Sequence, residues 1–292
     1  MKQLIYWQCA ILLLVVNFCL FDITKASMND DYNEFITIAI LAKDKAHVLD
    51  FYLSCIEAQT WPANQTYLYI RTNNNNDETA QILRDWVARI GYKYPKIYFD
   101  DTNVDVPVEQ YGQHEWNGDR FKVLGKIRQD SVDWAFANAS HYFVVDCDNF
   151  ILPDTLQCMM DSNQPIVAPL LYCNENSLYS NYHFAIDENG YCQNSPFYYN
   201  VYFREIKGFI EVPVVHCVYF IDYNVLNKIY YDDDSWRYEY VIFSESARLN
   251  NIAQYLDNRK VYGYISFAES KEEFDKQRPF LNSFFAININ GY

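Results

Sequence analysis

Tyr142-Phe-Val-Val-Asp146-Cys147-Asp148-Asn149 is a short apolar run that stops abruptly in two carboxylates. Alternate side chains of an extended strand share a face. Asp146 and Asp148 are therefore expected to point into one cleft, and Cys147 to point away from it as a buried thiol. Two hard oxygen ligands where a buried strand ends suit Mg²⁺ or Mn²⁺, and a cation held there neutralises a diphosphate. The plainer reading is a strand-end turn in which Asp148 caps the following segment.

Working outward, the preceding residues repeat a strand–helix rhythm. Phe35-Ile-Thr-Ile-Ala-Ile-Leu41 is continuously apolar, as a strand buried on both faces should be. Asp44 is expected to cap a helix carrying Val48, Tyr52, Cys55 and Ile56 at helical spacing. Tyr67-Leu-Tyr-Ile-Arg71 reads as a second strand, and Asp77 as the cap of a helix with Leu83, Trp86 and Ile90 on one face. A short strand at Ile97-Tyr-Phe99 and a helix over Asp119–Asn138 lead into the run ending at Asp146. This order predicts an α/β fold, Rossmann-like, with a mostly parallel central sheet flanked by helices. Ligands of such sheets bind outside the carboxyl ends of the strands. The Lys43 loop, the Asn73–Asp77 loop and the Asp146–Asp148 pair all fall there. No GxGxxG follows the first strand and no P-loop is present, which disfavours dinucleotide oxidoreductases and P-loop NTPases.

The second half reads as a Tyr- and Asn-rich stretch over Tyr172–Phe203 with a turn at Glu188-Asn-Gly190. A strand is expected over Glu211–Phe220, a helix over Arg237–Leu256 and a last strand at Val261–Ile265. The expected organisation is a signal peptide or signal anchor over 1–27, a linker over 28–34, one domain over 35–270 and a C-terminal tail over 271–292. The leader, an apolar run from Leu4 to Phe21 behind Lys2, implies the secretory pathway, with contact to membrane only through that segment if it is uncleaved. Asn64-Gln-Thr66 and Asn138-Ala-Ser140 are glycosylation sequons consistent with a lumenal location.

The formal net charge of −15 repels nucleic acid, and no basic patch with interleaved aromatics offsets it. An acidic protein that binds an anionic diphosphate needs a mediating cation, in keeping with the carboxylate pair. The cysteines outside the leader show no zinc-ligand spacing; Cys173 and Cys192 could close a loop. Lys43 and Arg120 are candidate diphosphate contacts, as is Arg128 within its helix, although each also reads as a solvated charge. Asn181 is a candidate for sugar hydroxyls or a turn residue. Glu239 is a catalytic base or a first-turn complement to a helix dipole. His216 is a ligand contact or a satisfied core histidine.

Ile38-Ala-Ile-Leu-Ala-Lys43 with Ala46-His47, then Thr79-Ala-Gln-Ile-Leu-Arg-Asp-Trp86, resembles the start of the N-terminal glycosyltransferase domain of the procollagen galactosyltransferase and cerebral endothelial cell adhesion molecule family. His114-Glu-Trp116, Asp146-Cys-Asp-Asn149, Pro165-Ile-Val-Ala-Pro169, Tyr179-Ser-Asn181, Val212-Pro-Val-Val-His216 and Tyr262-Gly-Tyr264 continue the resemblance in order. It implies a GT-A fold, a UDP-sugar donor, Mn²⁺ (or Mg²⁺), and transfer of galactose to hydroxylysine of a collagen-like chain with inversion. Asp146 and Asp148 match the family's metal-binding aspartates, and His216 matches a family histidine. Glu239 falls on the second of two adjacent aspartates, and Tyr238 replaces the first. Thr72 stands where the family has a uracil-contacting aspartate, and Lys43 where it has an arginine. These departures keep two alternatives open: a non-catalytic adhesion or binding module on the same fold, and a GDP-mannose-dependent mannosyltransferase.

Overall fold

β1 (Ile36–Ala42), β2 (Thr66–Thr72), β3 (Lys96–Asp100) and β4 (His141–Val145) are the strands of the first half, with α1 (Ala46–Glu57), α2 (Thr79–Ile90) and α3 (Gly118–Ala137) between them. A computed structural model describes residues 35–105, 117–173 and 177–289. The expected leader over 1–27, the linker over 28–34 and His114–Trp116 lie outside the described residues. β1 pairs in parallel with β2 on one side, Ile36 facing Thr66, and with β4 on the other, Ile36 facing His141. The strand order reverses at that point, and a crevice opens there above the carboxyl ends of β1 and β4.

The remaining elements are β5 (Asn149–Ile151), α4 (Thr155–Met160), β6 (Ile166–Pro169), β7 (Leu171–Cys173), β8 (Tyr182–His183), α5 (Phe197–Tyr202), β9 (Phe209–Glu211), β10 (Val214–Val215), β11 (Val218–Ile221), α6 (Tyr223–Leu226), α7 (Glu239–Leu249), β12 (Gln254–Asp257), β13 (Gly263–Ile265) and α8 (Lys271–Ile289). The large sheet runs β3-β2-β1-β4-β11-β6-β12-β9. β11 and β9 are its antiparallel members, and the other pairings are parallel. β5-β13-β7 and β10-β8 form two smaller sheets.

The period-two alternation of the strands divides two cores. Ile36, Ile38 and Ile40 of β1 with Phe143 and Val145 of β4 pack on the α1 and α2 side. Ala39, Tyr142 and Val144 pack on the other side with Val132 and Ala135 of α3.

Several local expectations are corrected. The single strand expected over Glu211–Phe220 is three pieces, because Pro213 donates no hydrogen bond and Cys217 takes φ +63°. The helix expected over Arg237–Leu256 stops at Leu249; Asn251 turns left-handed at φ +54° and β12 follows. Asp44 does not cap α1. It adopts φ +53°, and its carboxylate accepts from the backbone of Asn76, while Asp77 accepts from the backbone N–H of both Ala46 and Thr79. Cys173 and Cys192 are not joined by a disulfide. Residues 271–289, expected as a tail, are a helix that buries Phe274 and Leu281 in the core.

Candidate active site

β4 ends at Val145, and the chain then turns, with Asn149 N–H donating to Asp146 O at 2.9 Å. The two aspartates thus sit on a strand-end turn rather than on the strand itself. Both still line one cleft of about 480 Å³ at the crevice between β1 and β4. Cys147, between them, is 2% exposed and packs in the α1-side core, although it too borders the cleft.

α3 forms one wall of the cleft. Arg120, Leu124, Ile127 and Arg128 line it at i, i+4, i+7 and i+8. The α3 N-terminus is fixed by Asn117, whose side-chain oxygen accepts from Arg120 N–H at 3.1 Å. α7 closes on α3 at Gly125, where a Cβ would fall 2.8 Å from Tyr231 O and 3.5 Å from Glu239 Cβ. The close approach of the Tyr231 carbonyl favours glycine there, and Glu239, the first residue of α7, packs beside it against Arg128.

The guanidinium joins two acids. Arg128 Nη2 donates to Asp146 Oδ1 at 2.8 Å, and Nε lies 3.5 Å from Glu239 Oε1. The Arg128 and Glu239 side chains are only 6% and 7% exposed. Buried charges persist only when paired, and the two acids offset the guanidinium charge, although Nε and Nη1 have no hydrogen-bond partner among the described residues. Burial pushes the Glu239 carboxyl above its ordinary range, with Arg128 opposing the shift.

Asp148 is held differently. Lys45 Nζ, at the start of α1, donates to its Oδ2 at 2.7 Å, and Asn149 Nδ2 donates to its Oδ1 at 2.8 Å. Burial is the largest influence on Lys45 and works against its charged form, but the charge and hydrogen bond of Asp148, with Cys147 and Asp146, together outweigh it and raise its pKa above the ordinary value. Lys43, also on the cleft, pairs with Asp44 at 2.6 Å.

His216 lines the opposite wall, 4% exposed. Its Nδ1 lies 2.9 Å from Cys217 Sγ, and its Nε2 has no partner among the described residues. Burial, then His183 and Arg128, push its pKa well down, so the ring is neutral. A neutral imidazole with one open nitrogen suits a hydrogen bond to a hydroxyl. Tyr179, Tyr240 and Phe267 complete this wall as an aromatic surface.

The cleft therefore gathers Lys43, Arg120, Asp146, Asp148, His216 and Glu239. Two expected contacts lie outside its lining. Thr72 is fully buried, with its hydroxyl accepting from Asn75 Nδ2 at 2.6 Å; the next residue, Asn73, reaches the cleft instead. Asn181 is fully buried too. Its Oδ1 accepts from Leu171 N–H at 3.1 Å and its Nδ2 donates to Pro169 O at 2.8 Å, which staples strand ends and leaves nothing for a sugar. Lys45 was not visible as a site residue. Its one sequence signal is its place two residues after Lys43 at the same strand end. Arg128, expected as a diphosphate contact within its helix, is paired instead with Asp146 and Glu239. Among the described residues no three His, Cys, Asp or Glu side chains could hold a metal by themselves.

The profile of glycosyltransferase family 25, N-terminal domain, matches residues 34–281. The chain belongs to that family. Procollagen galactosyltransferase 2 of Mus musculus is 30% identical over 240 residues, covering 79% of this chain and 38% of the relative. An inactive glycosyltransferase 25 family member 3 of Mus musculus is 26% identical over 255 residues, covering 82% of this chain and 42% of the relative. The chain thus spans roughly two fifths of the length of these relatives. Among solved structures, S. aureus TarS in complex with UDP-GlcNAc superposes with TM-score 0.52 at 14% identity, over 80% of this chain and 59% of TarS. That likeness concerns the fold, which is GT-A as expected.

Proposed function

We propose that this chain is a metal-dependent glycosyltransferase domain. It moves a sugar, galactose in our reading, from a UDP-sugar to a hydroxyl of a protein such as hydroxylysine of a collagen-like chain, with inversion. The observation that carries this reading is Arg128, one buried guanidinium that ties Asp146 to Glu239 in the cleft shared with Asp148. Family membership and the procollagen galactosyltransferase relatives support the sugar and acceptor classes. The leader expected over 1–27 supports a secretory-pathway lumen, endoplasmic reticulum or Golgi; no helix among the described residues is long and apolar enough to cross a membrane.

Asp146 and Asp148 fit a divalent cation. Their oxygens are hard donors on one turn, and Mg²⁺ or Mn²⁺ is commonly held by one or two carboxylates plus substrate phosphates rather than by a full protein cage. When bound, such an ion acts as a Lewis acid on the diphosphate leaving group.

The chain's own residues do the rest. Glu239 accepts the proton of the acceptor hydroxyl as that oxygen bonds to the anomeric carbon. The bond from that carbon to the diphosphate breaks, and UDP departs with the electron pair. Arg128 keeps Glu239 oriented, and its charge favours the ionised carboxylate. Lys43 and Arg120 offer positive charge to the nucleotide, and His216 Nε2 offers a hydrogen bond to a sugar hydroxyl.

Asp148→Asn tests the reading. Manganese-dependent hydrolysis and transfer from UDP-galactose should fall at least 100-fold, on the order of losing one strong electrostatic stabiliser. Unchanged turnover would sink the role of Asp148, and a panel that includes GDP-mannose reads the nucleotide.

A second reading, a non-catalytic module, is favoured by the relative named inactive. It predicts nucleotide binding without sugar release by the native chain.

A further inference from the structure

Both carboxylate oxygens of Asp148 are already engaged. Lys45 Nζ sits 2.7 Å from Oδ2, and Asn149 engages Oδ1 at 2.8 Å. An ammonium and a divalent cation cannot share one carboxylate oxygen at contact distance without strong repulsion. One of the site's cations must therefore yield when metal arrives.

Arg128 is not the one to move. It is 6% exposed, lies inside α3 and is bound to two acids. Lys45 is different. Its side chain is 24% exposed and reaches into the cleft on a flexible four-carbon stem. Its backbone is fixed independently. Lys45 N–H donates to Thr79 Oγ1 at 2.7 Å, and its carbonyl accepts from Val48 N–H at 3.0 Å and Leu49 N–H at 3.2 Å. The side chain can swing while the loop stays.

We propose that Lys45 is a stand-in cation: it holds the Asp148 seat until metal binds, gives it up to the divalent metal, and passes its ammonium to the diphosphate that enters with that metal. This rests on the metal-dependent reading of the same cleft. The consequence is coupling. Metal alone must displace Lys45 from Asp148 with no diphosphate present to receive it. Metal with nucleotide displaces it onto one. Each ligand then raises the affinity of the other, reciprocally.

The test is Mn²⁺ binding read by the electron paramagnetic resonance of free Mn²⁺, with and without UDP. It compares the native chain with Lys45→Met, Lys45→Gln and Lys45→Arg, each checked for its fold by circular dichroism. Removing the competing charge should tighten binding of Mn²⁺ alone about tenfold in the Met and Gln variants. The enhancement by UDP should shrink by a similar factor, and Lys45→Arg should behave as native. Equal Mn²⁺ affinities in native, Met and Gln chains, with UDP still enhancing all of them, would overturn the stand-in role and leave the metal site intact. No Mn²⁺ binding by any chain even with UDP would overturn the metal-dependent reading and this inference with it.

Discussion

Glu239 is the residue on which the proposed chemistry turns. Its carboxyl is 7% exposed and lies 3.5 Å from Arg128 Nε. Burial raises its pKa above the usual carboxylate value, and Arg128 limits the rise. A general base works in its ionised form, so activity should climb as pH rises through that raised pKa. The acid limb of kcat/KM is therefore expected above the ordinary glutamate range. Glu239→Gln keeps the shape but removes the base. Turnover should fall about 10²- to 10⁴-fold while UDP affinity, measured calorimetrically, stays within about twofold. An acid limb that survives in residual Glu239→Gln activity would assign the titration to another group. The same residue shows what a sequence conveys. Its place at the start of an amphipathic helix was readable, and so were the strand-end positions of Asp146 and Asp148. Lys45 was not, and Arg128 was readable as a diphosphate contact but not as the partner of two acids, because a charged residue looks alike in sequence whether it is solvated or paired. Asn181 misled for the related reason that a buried amide serving backbone carbonyls and an exposed amide serving a sugar have the same letter.

The elements of the first half were legible because β1, β2 and β4 are buried on both faces and read as apolar runs bounded by turns. The second half was not, and Cys217 explains much of the failure. Val214, Val215, Val218 and Phe220 give one apolar stretch in sequence, but the left-handed backbone at Cys217 breaks it, and β10 and β11 join different sheets. Periodicity carries no sign of a single positive φ in a residue other than glycine. That conformation also has a use. It sets Cys217 beside His216 Nδ1 and lets Cys217 O accept from Asp146 N–H at 3.0 Å, so it helps fix the aspartate turn. A β-branched side chain tolerates φ > 0 poorly. Cys217→Val should cost about 1–3 kcal/mol in urea unfolding. Cys217→Gly, free of the Cβ penalty, should lie within about 1 kcal/mol of native. Equal midpoints for the two variants would show that the kink stores no strain.

At the scale of the whole molecule, the sheet separates two cores, and the α1-side core is completed by the last helix. Phe274 of α8 is fully buried, with its ring 5.9 Å from Phe51 and 5.4 Å from Phe150. Phe150 lies two residues beyond Asp148. A second line of contacts runs the same way, with Gln277 Oε1 accepting from Ser266 Oγ at 2.7 Å and Ser266 N–H donating to Asp148 O at 2.8 Å. α8 thus backs the turn that carries the carboxylates, and it belongs to the domain rather than trailing from it. The sequence hid this because Pro279 and the charges of Lys271–Arg278 mask a narrow apolar stripe. Two changes separate packing from polar support. Phe274→Ala opens a cavity in the core and should cost about 3–5 kcal/mol, seen as a lower urea midpoint. Gln277→Leu removes the hydrogen bond to Ser266 beneath the turn and should cost less, about 1–2 kcal/mol. It should nonetheless weaken Mn²⁺ binding in the presence of UDP, because the loosened segment is the one that anchors Asp148 O. If Phe274→Ala unfolds at the native urea concentration, the helix is an accessory, and the core ends with β13.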